Sequence, residues 1–345
     1  MWNIQDFQFD LDESLIAKYP RQSRDQSRLM VLDRKEQSIR SEKMFLRILD
    51  YLKQGDTLVF NNTRVSKRRL YLLTKQKRFH EVIFLEPSQY PKPLSWYCLI
   101  RNSAKLHEGD SLFDTSGKYD FEFHRGESGK TYLTPGIAME EEIFEKIGTI
   151  PIPPYLKRRA EALDEERYQT VFAEVPGSVA SPTAALHFSP ELLERLKSIG
   201  VGIAHLTLLV GYGTFAPLEE SQIREKKLHP EEFNISEETA VLLNSAREKG
   251  RIISVGTTTL RALESSYDFK EKKFFPQRSK TDLFLGPGDT ISSCDGLITN
   301  FHLPGSSLMF LVSAFAGKNF IMSAYERAIR EKYRFFSYGD AMLIL

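Results

Sequence analysis

The fold class is decided by the stretch SPELLERLKSIGVGIAHLTLLV, residues 189–210. Ser189 followed by Pro190 is typical of a helix start, because the serine side chain caps free amide groups and proline suits the first turn. Leucine and isoleucine side chains then recur on one helical face, and Gly200 ends the helix. The mostly apolar run Val201–Val210 indicates a buried strand. The stretch therefore predicts a helix followed by a strand of a larger sheet.

The same alternation continues toward the C-terminus. Ser236 begins a second helix, which Gly250 closes, and a strand is predicted at Arg251–Val255. Strands that alternate with helices favour parallel βαβ units and hence an α/β fold. Further elements are predicted in the same order: a strand at Leu297–Phe301 and helices at Ser306–Ala316 and Asn319–Lys332.

The segment from about Thr57 to Thr134 has a different pattern. Short runs such as Glu81–Leu85 and Ser95–Ile100 are typical of strands, and turns containing glycine separate them. Several short strands without a clear helix indicate a small β-barrel or sandwich. We therefore expect a larger α/β domain of βα units, barrel-like, formed by residues 1–56 and 150–345. Residues 57–149 are expected to form an inserted small β-barrel domain.

The composition is that of a globular protein. The chain has 345 residues, 41% of them hydrophobic, and its 47 basic and 46 acidic residues give a net charge of +1. No apolar run reaches the roughly 18 residues of a membrane span, and the first residues lack a signal-peptide pattern, so we expect a cytoplasmic protein. The two distant cysteines, Cys98 and Cys294, exclude a disulfide framework and disfavour a structural zinc site.

The basic residues are unevenly distributed. No acidic residue occurs from Thr57 to His80. A locally basic surface on a near-neutral protein suits a partner that carries phosphates, such as a nucleic acid. The alternative is a set of lysines and arginines that only prevents strand edges from pairing. The basic side chains of this stretch are Arg64, Lys67, Arg68, Arg69, Lys75, Lys77 and Arg78.

Polar motifs follow the predicted strands at the edge where α/β proteins bind ligands. In Val255-Gly256-Thr257-Thr258-Thr259-Leu260-Arg261, a helix starts directly after a strand. Its free amides, hydroxyls and arginine predict a carboxylate or phosphate site; the alternative is a plain helix cap. His187 and His302 stand near other segment ends. Each is either an acid–base candidate or a buried, hydrogen-bonded histidine.

Three further motifs have ordinary structural explanations beside functional ones. The segment 211–215, Gly-Tyr-Gly-Thr-Phe, is a tight turn or a place of close ligand approach. Residues 229–232, His-Pro-Glu-Glu, form a solvated loop or an acid–base group. The aromatic segment 334–340 packs on the core or borders a site. Taken together, the strand-end motifs predict an α/β enzyme that acts on an anionic ligand.

The order of motifs resembles the S-adenosylmethionine:tRNA ribosyltransferase-isomerases of the queuosine pathway, the QueA family. The resemblance runs almost from end to end of the chain, which makes chance similarity improbable. The segments that carry it include Ser27-Arg28-Leu29, Phe60-Asn61-Asn62-Thr63-Arg64-Val65, Pro151-Ile152-Pro153-Pro154-Tyr155, Leu186-His187-Phe188, Val255-Gly256-Thr257-Thr258, Thr299-Asn300-Phe301-His302-Leu303-Pro304 and Phe335-Phe336-Ser337-Tyr338-Gly339-Asp340.

The resemblance implies that the ribosyl part of S-adenosylmethionine is transferred to 7-aminomethyl-7-deazaguanine at the tRNA wobble position. Adenine and methionine leave, and the sugar becomes the ring of epoxyqueuosine. S-adenosylmethionine is then a consumed substrate, and no cofactor or metal is expected. The expected partner is a tRNA with a GUN anticodon, the protein is expected to be a monomer, and an α/β domain with a small β-barrel is implied.

The implied chemistry requires a base for the acidified C5′ hydrogens and an acid for the departing adenine. His187 and His302 are the candidates, with Asp340 or Glu231 orienting one of them. The expected substrate-binding residues are Arg64, Thr257, Thr258, Arg261, Asn300 and Tyr338. The residues expected to contact tRNA are Lys67, Arg68, Arg69, Lys75, Lys77 and Arg78.

Two positions depart from the family pattern. Leu209 and Lys226 stand where the family usually has histidines. This leaves two alternatives open beside the leading interpretation. One is a non-catalytic tRNA-binding descendant of the family, and the other is a related transferase with a different acceptor.

Overall fold

The computed structural model describes residues 2–211, 213 and 217–345. Strands make up a large sheet and a small barrel. In chain order they are β1 Leu29–Asp33, β2 Ser38–Glu42, β3 Thr57–Asn61, β4 Thr63–Val65, β5 Arg69–Thr74, β6 Phe79–Ser88, β7 Ser95–Ile100, β8 Ser111–Phe113, β9 Asp120–Arg125, β10 Thr131–Pro135, β11 Val175–Ser178, β12 Gly202–Leu208, β13 Lys227–Ile235, β14 Ile252–Val255, β15 Tyr267–Asp268, β16 Lys273–Phe274, β17 Gln277–Leu283, β18 Gly296–Asn300 and β19 Ala341–Ile344.

The helices lie mainly in the second half of the chain. They are α1 Glu141–Ile147, α2 Ala162–Arg167, α3 Pro190–Ser198, α4 Glu220–Glu225, α5 Glu237–Lys249, α6 Thr257–Ser266, α7 Ser307–Ala316 and α8 Lys318–Arg330. Short 3-10 turns add Ile4–Phe7, Glu13–Leu15, Arg24–Gln26, Phe45–Asp50, Ser103–Lys105, Glu127–Gly129, Pro154–Leu156 and Thr183–His187.

Two helices begin at the caps that the sequence predicts. The Ser189 hydroxyl accepts a hydrogen bond from the amide of Leu192, and the Ser236 hydroxyl accepts one from the amide of Thr239. Each bond satisfies an amide that has no partner within its helix. The helices α3 and α5 therefore begin one residue after their predicted caps.

The large sheet has nine strands in the order β17-β13-β12-β3-β14-β18-β19-β1-β2. The four central strands, from β12 to β18, are parallel to one another. The outer strands β13, β17 and β2 are antiparallel to their neighbours, so the sheet is mixed and has two edges. Apolar clusters cover both faces: one includes α5 to α8, and the other includes α3 and the turn Phe45–Asp50.

The small barrel is closed by six strands in the order β10-β7-β6-β5-β8-β9. Its interior holds large side chains, and Phe144 of α1 packs against Phe84 and Trp96 inside it. Closure removes the exposed edges that short strands would otherwise present. The α/β fold with an inserted small β-barrel is confirmed.

The placement of β3 differs from the sequence expectation. Thr57–Asn61 was expected to open the small domain, yet it pairs with β12 and β14 in the middle of the large sheet. All five of its residues are buried, which fits a central strand better than a barrel strand exposed on one face. The barrel strands instead run from Arg69 to Pro135, and the division into two domains stays a prediction.

Two observations bear on the remaining expectations. Among the described residues, no single helix is long and apolar enough to cross a membrane; α7 and α8 together reach that length and composition, but they are bent by 115°. Tyr212, Thr214 and Phe215 of the predicted 211–215 turn lie outside the described residues.

Candidate active site

A cleft lies at the carboxyl ends of the central parallel strands. The segment after β14 supplies Gly256, Thr257 and Thr258, and the segment after β18 supplies His302 and Leu303. Parallel strands bring their following loops to one edge, where α/β proteins bind ligands. The other lining residues are Tyr155, Ala180, Ser181, Pro182, Thr183, Ala184, Val210, Thr299, Asn300, Phe301, Ser306, Leu308, Phe336 and Ser337.

One wall of this cleft is the start of α6. Gly256 has a φ of 97°, a conformation that favours glycine, and no side chain caps the helix. The first helical hydrogen bond runs from the amide of Leu260 to the Gly256 carbonyl at 3.1 Å, so the amides of Thr257 and Thr258 have no acceptor within the helix. Such a helix start favours an anionic group.

Two buried hydroxyls in the cleft lack partners. Ser181 and Thr258 are 6% and 8% exposed, and neither Oγ of Ser181 nor Oγ1 of Thr258 forms a hydrogen bond with the described residues. A buried polar group without a partner is costly unless a ligand or water satisfies it. Together with the amides of α6, these hydroxyls form a polar corner in a mostly apolar cleft.

His302 faces the same cleft with one ring nitrogen engaged. Its Nε2 lies 2.8 Å from the hydroxyl of Thr299, and its backbone amide donates to the Tyr325 hydroxyl at 2.8 Å. No hydrogen bond joins Nδ1 to a described residue. Burial lowers the pKa of His302 to about 3, so the resting imidazole is neutral. The ring can therefore exchange a proton at Nδ1 while Thr299 fixes its orientation.

His187 has both ring nitrogens engaged. The Asn300 amide Nδ2 donates to Nε2 at 3.0 Å, so the proton resides on Nδ1, which lies 2.6 Å from the Ser27 hydroxyl. Burial lowers the pKa of His187 to about 3. The ring also packs on Phe45, and it lies behind the cleft instead of lining it. This geometry favours a positioning role for His187 toward Asn300.

Asn300 connects His187 to the cleft. Its Oδ1 accepts from the Thr183 hydroxyl at 3.0 Å, and both residues line the cleft. Its Nδ2 also lies 3.5 Å from the backbone oxygen of Asp340. The side chain that was expected to bind substrate is thus held by two segments of the chain, the turn Thr183–His187 and the backbone at Asp340.

The two C-terminal candidates are held away from the cleft. The Asp340 carboxylate accepts the backbone amides of Arg28 and Arg334, both at 2.8 Å. Burial raises the pKa of Asp340 above its ordinary value. The Tyr338 hydroxyl donates to Asp164 at 2.7 Å, and Tyr338 does not line the cleft. Both side chains hold the C-terminal segment in place.

Glu231 and Arg261 line an adjoining cleft, which shares Thr257, Thr258 and Leu308 with the first. The two side chains form a buried ion pair, and Glu231 also accepts the amide of Gly211 at 2.8 Å. The Arg261 guanidinium further donates to the Leu283 carbonyl at 3.0 Å. Its charge is therefore already compensated within the protein.

The basic side chains in the first half of the stretch have partners within the protein. Arg64 pairs with Glu145 at 2.7 Å, and Arg64 does not line the cleft. Lys67 pairs with Glu165 at 2.9 Å. Arg68 and Arg69 donate to the backbone carbonyls of Leu85 and Ile152, each at 2.8 Å. Each of these four cations therefore already has a carboxylate or a backbone carbonyl of the protein as its partner.

The second half of the stretch has the opposite character. Lys75, Lys77 and Arg78 are exposed at the turn between β5 and β6, and no ion pair links them to the described residues. Phe79 beside them is 67% exposed. Charged side chains next to an exposed aromatic ring are typical of surfaces that bind single-stranded RNA. We name this turn, residues 75–79, the barrel tip.

Sequence reasoning missed Thr299 and Ser27 as partners of the two histidines. Thr299 stands three residues before His302, a spacing that was visible but has no distinctive signature. Ser27 is 160 residues from His187, and nothing local indicates that contact. Among the described residues, no three His, Cys, Asp or Glu side chains are grouped so that they could hold a metal ion.

Leu209 and Lys226, the departures from the family pattern, line neither cleft. Leu209 packs near Gly177, and the Lys226 ammonium lies 2.5 Å from a carboxylate oxygen of Asp289. The cleft around His302 is therefore built without either position.

Comparisons with known proteins agree with this architecture. The chain is 45% identical to the S-adenosylmethionine:tRNA ribosyltransferase-isomerase of Aquifex aeolicus, and 44% identical to the protein of that name from a Sulfurihydrogenibium species. Each alignment covers 99% of both chains. A protein of the same name from Staphylococcus saprophyticus is 43% identical, over 99% of this chain and all of the relative.

A solved structure and a family model complete the comparison. The crystal structure of S-adenosylmethionine tRNA ribosyltransferase from Thermotoga maritima matches with a TM-score of 0.55 and 36% identity, over 99% of this chain and 100% of that one. The model of queuosine biosynthesis proteins matches residues 4–344. The resemblance predicted from the motifs is thus confirmed, and the chain belongs to the queuosine biosynthesis protein family.

Proposed function

We propose that this protein is an S-adenosylmethionine:tRNA ribosyltransferase-isomerase. It transfers the ribosyl moiety of S-adenosylmethionine to 7-aminomethyl-7-deazaguanine in the tRNA wobble position and releases adenine and methionine. The full-length relatives that carry this enzyme name support the proposal, and so does the family match over nearly the whole chain. The enzyme class is the one predicted from the sequence.

The observation that carries the proposal is the cleft that places His302 together with the uncapped start of α6. S-adenosylmethionine bears a positive sulfonium and, on its methionine part, a carboxylate. Apart from His302, no acidic or basic side chain among the described residues lines this cleft. A neutral cleft with a polar corner suits a ligand that brings both charges with it.

The methionine carboxylate is assigned to the polar corner. The free amides of Thr257 and Thr258 and the unpartnered hydroxyl of Ser181 supply donors for it. Aromatic rings of Tyr155, Phe301 and Phe336 line the cleft and can attract the sulfonium through their faces. Arg261 then acts by holding Glu231 and the adjoining wall, instead of binding the carboxylate.

His302 is assigned the proton transfer. The imidazole of His302 is neutral before the reaction. When Nε2–H donates to the Thr299 hydroxyl, Nδ1 carries the lone pair that accepts a proton. It takes a C5′ hydrogen of the sulfonium-activated ribose, and the resulting imidazolium then protonates a nitrogen of the leaving adenine. The Thr299 hydroxyl accepts from Nε2–H in both states. His187 supports this step by fixing Asn300.

We assign tRNA binding to the barrel tip, where Lys75, Lys77 and Arg78 stand beside Phe79. Its cations would contact phosphates, and Phe79 would stack on an unpaired base. We further propose a tRNA with a GUN anticodon as substrate, a cytoplasmic location where such tRNA is found, a monomeric protein, and no cofactor besides the consumed S-adenosylmethionine.

The test is to incubate the purified protein with S-adenosylmethionine and tRNA that carries the aminomethyl-deazaguanine base. Adenine is measured by chromatography, and the nucleoside product by mass spectrometry. We expect adenine in a one-to-one ratio with the modified nucleoside. Binding of tRNA without any adenine would overturn the proposal in favour of a non-catalytic protein, and adenine only with another acceptor would overturn the assigned acceptor.

A further inference from the structure

Four arginine side chains surround a surface cleft behind His187. Arg21, Arg24 and Arg167 line it together with Ser27, His187 and Ser337–Gly339, and Arg21 and Arg334 line the hollow beside it. We name this group, Arg21, Arg24, Arg167 and Arg334, the arginine cleft. It lies outside the basic stretch 64–78 and has no part in the proton transfer assigned to His302.

Three of the four guanidinium groups donate to backbone carbonyls, and none of the four is paired with a carboxylate of a described residue. Arg24 donates to the carbonyls of Leu186 at 3.3 Å and Glu166 at 3.1 Å. Arg167 donates to those of Gln22 and Arg21, both at 3.0 Å. Arg334 donates to the Tyr19 carbonyl. Among the described residues, none of the four forms an ion pair, and the carboxylates of Glu166 and Asp340 offset the charges of Arg24 and Arg334 only in part.

Three carboxylates of the surrounding segments accept hydrogen bonds from other groups. Asp340 accepts two backbone amides, Asp25 accepts the Ser23 hydroxyl, and Asp164 is paired with Arg158 and Tyr338. Burial lowers the pKa of Arg24, and the neighbouring charge of Arg167 lowers it further. Partly buried like charges that are only partly offset by counter-charges are unfavourable, and an anionic ligand would relieve that cost.

One guanidinium atom also lacks a partner. The Arg167 Nε–H is buried and forms no hydrogen bond with the described residues. Arg21 is exposed, and no hydrogen bond from its side chain to a described residue is present. The arginine cleft therefore retains N–H donors without partners among the described residues, and guanidinium donors suit the oxygens of a phosphate.

The arginine cleft adjoins the reaction cleft. Ser337 lines both, and a hydrogen-bonded series leads from the Arg24 carbonyl through Ser27 and His187 to Asn300. Tyr19, which is 45% exposed, borders the same hollow. A polyanion held here would have its neighbouring units within reach of the reaction cleft.

We propose that the arginine cleft binds backbone phosphates of the RNA substrate that flank the nucleotide entering the reaction cleft. The inference rests on the proposed function, because that function supplies the RNA. Four arginines without an ion pair carry more charge than a single amino-acid carboxylate would neutralise, whereas successive phosphodiesters each bring one negative charge. The arginine cleft thus binds the RNA strand that carries the reacting nucleotide, while the barrel tip contacts a different part of the tRNA.

The test uses the full-length protein with Arg21→Glu, because Arg21 holds no other segment in place. The control is Arg278→Glu, which makes the same charge change on the exposed edge strand β17. Binding of tRNA is measured over a range of salt concentrations, and binding of S-adenosylmethionine is measured in parallel. We expect Arg21→Glu to weaken tRNA binding about tenfold and to reduce the salt dependence by about one phosphate contact.

Binding of S-adenosylmethionine should not change in either variant. Equal tRNA affinity and salt dependence in the two variants would overturn the proposal. Loss of S-adenosylmethionine binding with unchanged tRNA binding would also overturn it, because the cleft would then hold a small carboxylate. If the wild-type protein releases no adenine but Arg21→Glu still weakens RNA binding, the proposed activity fails while the arginine cleft stands.

Discussion

The surroundings of His187 and His302 make an instructive comparison. Both rings are buried, both follow strand or turn ends, and burial lowers the pKa of each to about 3. At His187 two hydrogen bonds occupy both nitrogens, whereas at His302, which lines the cleft, no hydrogen bond joins Nδ1 to a described residue. Burial and pKa therefore do not separate a positioning residue from a reacting one; the unoccupied atom does.

The largest effect is expected at His302, the histidine that is assigned the proton transfer. His302→Ala should lower the rate of adenine release about 100-fold or more, because the proton acceptor is removed. The rate is measured at saturating tRNA and S-adenosylmethionine. His107→Ala, which removes an exposed histidine of the barrel, is the control and should leave the rate unchanged. A His302→Ala protein that folds and retains its rate would remove this residue from the mechanism.

The second prediction concerns what the two histidines share. In the unfolded chain each titrates near its ordinary value of 6.5, so between pH 6.5 and 3 the unfolded state binds protons that the folded state does not. The stability that the two neutral rings contribute is therefore fully present above pH 6.5, and it is lost as the pH falls toward 3. At pH 5 each histidine should therefore lower the free energy of unfolding by about 2 kcal/mol, since one pKa unit corresponds to about 1.4 kcal/mol.

Urea unfolding at pH 7 and pH 5 measures this loss. The variants His187→Gln and His302→Gln carry no titrating ring, so each should show a smaller loss than the wild-type protein. A wild-type free energy of unfolding that is equal at the two pH values would contradict the neutral burial of the rings.

The third prediction tests the positioning side. If His187 acts through Asn300, His187→Ala and Asn300→Ala should each lower kcat about tenfold, because the cleft wall loses its fixed geometry. The double variant should be no slower than Asn300→Ala alone, since the two residues act as one unit. Additive losses in kcat would show that His187 acts independently of Asn300.

The basic side chains also differ in whether they already have a partner within the protein. Lys77 at the barrel tip is exposed without an ion pair, whereas Lys67 is paired with Glu145 and Glu165. Lys77→Ala should weaken tRNA binding about threefold, and Lys67→Ala should change it less, because only Lys77 has a charge available to phosphate. Binding assays at low salt measure both. The reverse order would contradict the assignment of RNA binding to the barrel tip.

Much of the fold was predictable because its signals are local. Ser189 and Ser236 cap helices within three residues, and apolar runs such as β14 identify buried strands without reference to the rest of the chain. The strand β3 was assigned to the wrong sheet because its five residues, Thr57–Asn61, look alike in a barrel and in a parallel sheet. Only their partners, which lie far along the chain, distinguish the two.

The strand-end motifs led to the expectation of a ligand site at one edge of the sheet, and Thr257, Thr258, Asn300 and His302 line one cleft there. Their roles stay predictions. The partners of Arg261 and His187 come from distant segments, and a sequence pattern does not show that a charge or a ring nitrogen is already engaged. The arginine cleft was missed for the same reason, because its four members are scattered from residue 21 to residue 334.

The position of β3 also has a consequence for how the protein is made. Both neighbours of this strand, β12 and β14, follow the whole barrel in the chain. On the ribosome β3 emerges before the barrel strands, and these can pair with one another while the backbone groups of β3 still lack their partners. Long-range parallel pairing of this kind is slow to form. The centre of the large sheet, although its strands are buried, is thus assembled only after the barrel strands have been synthesised.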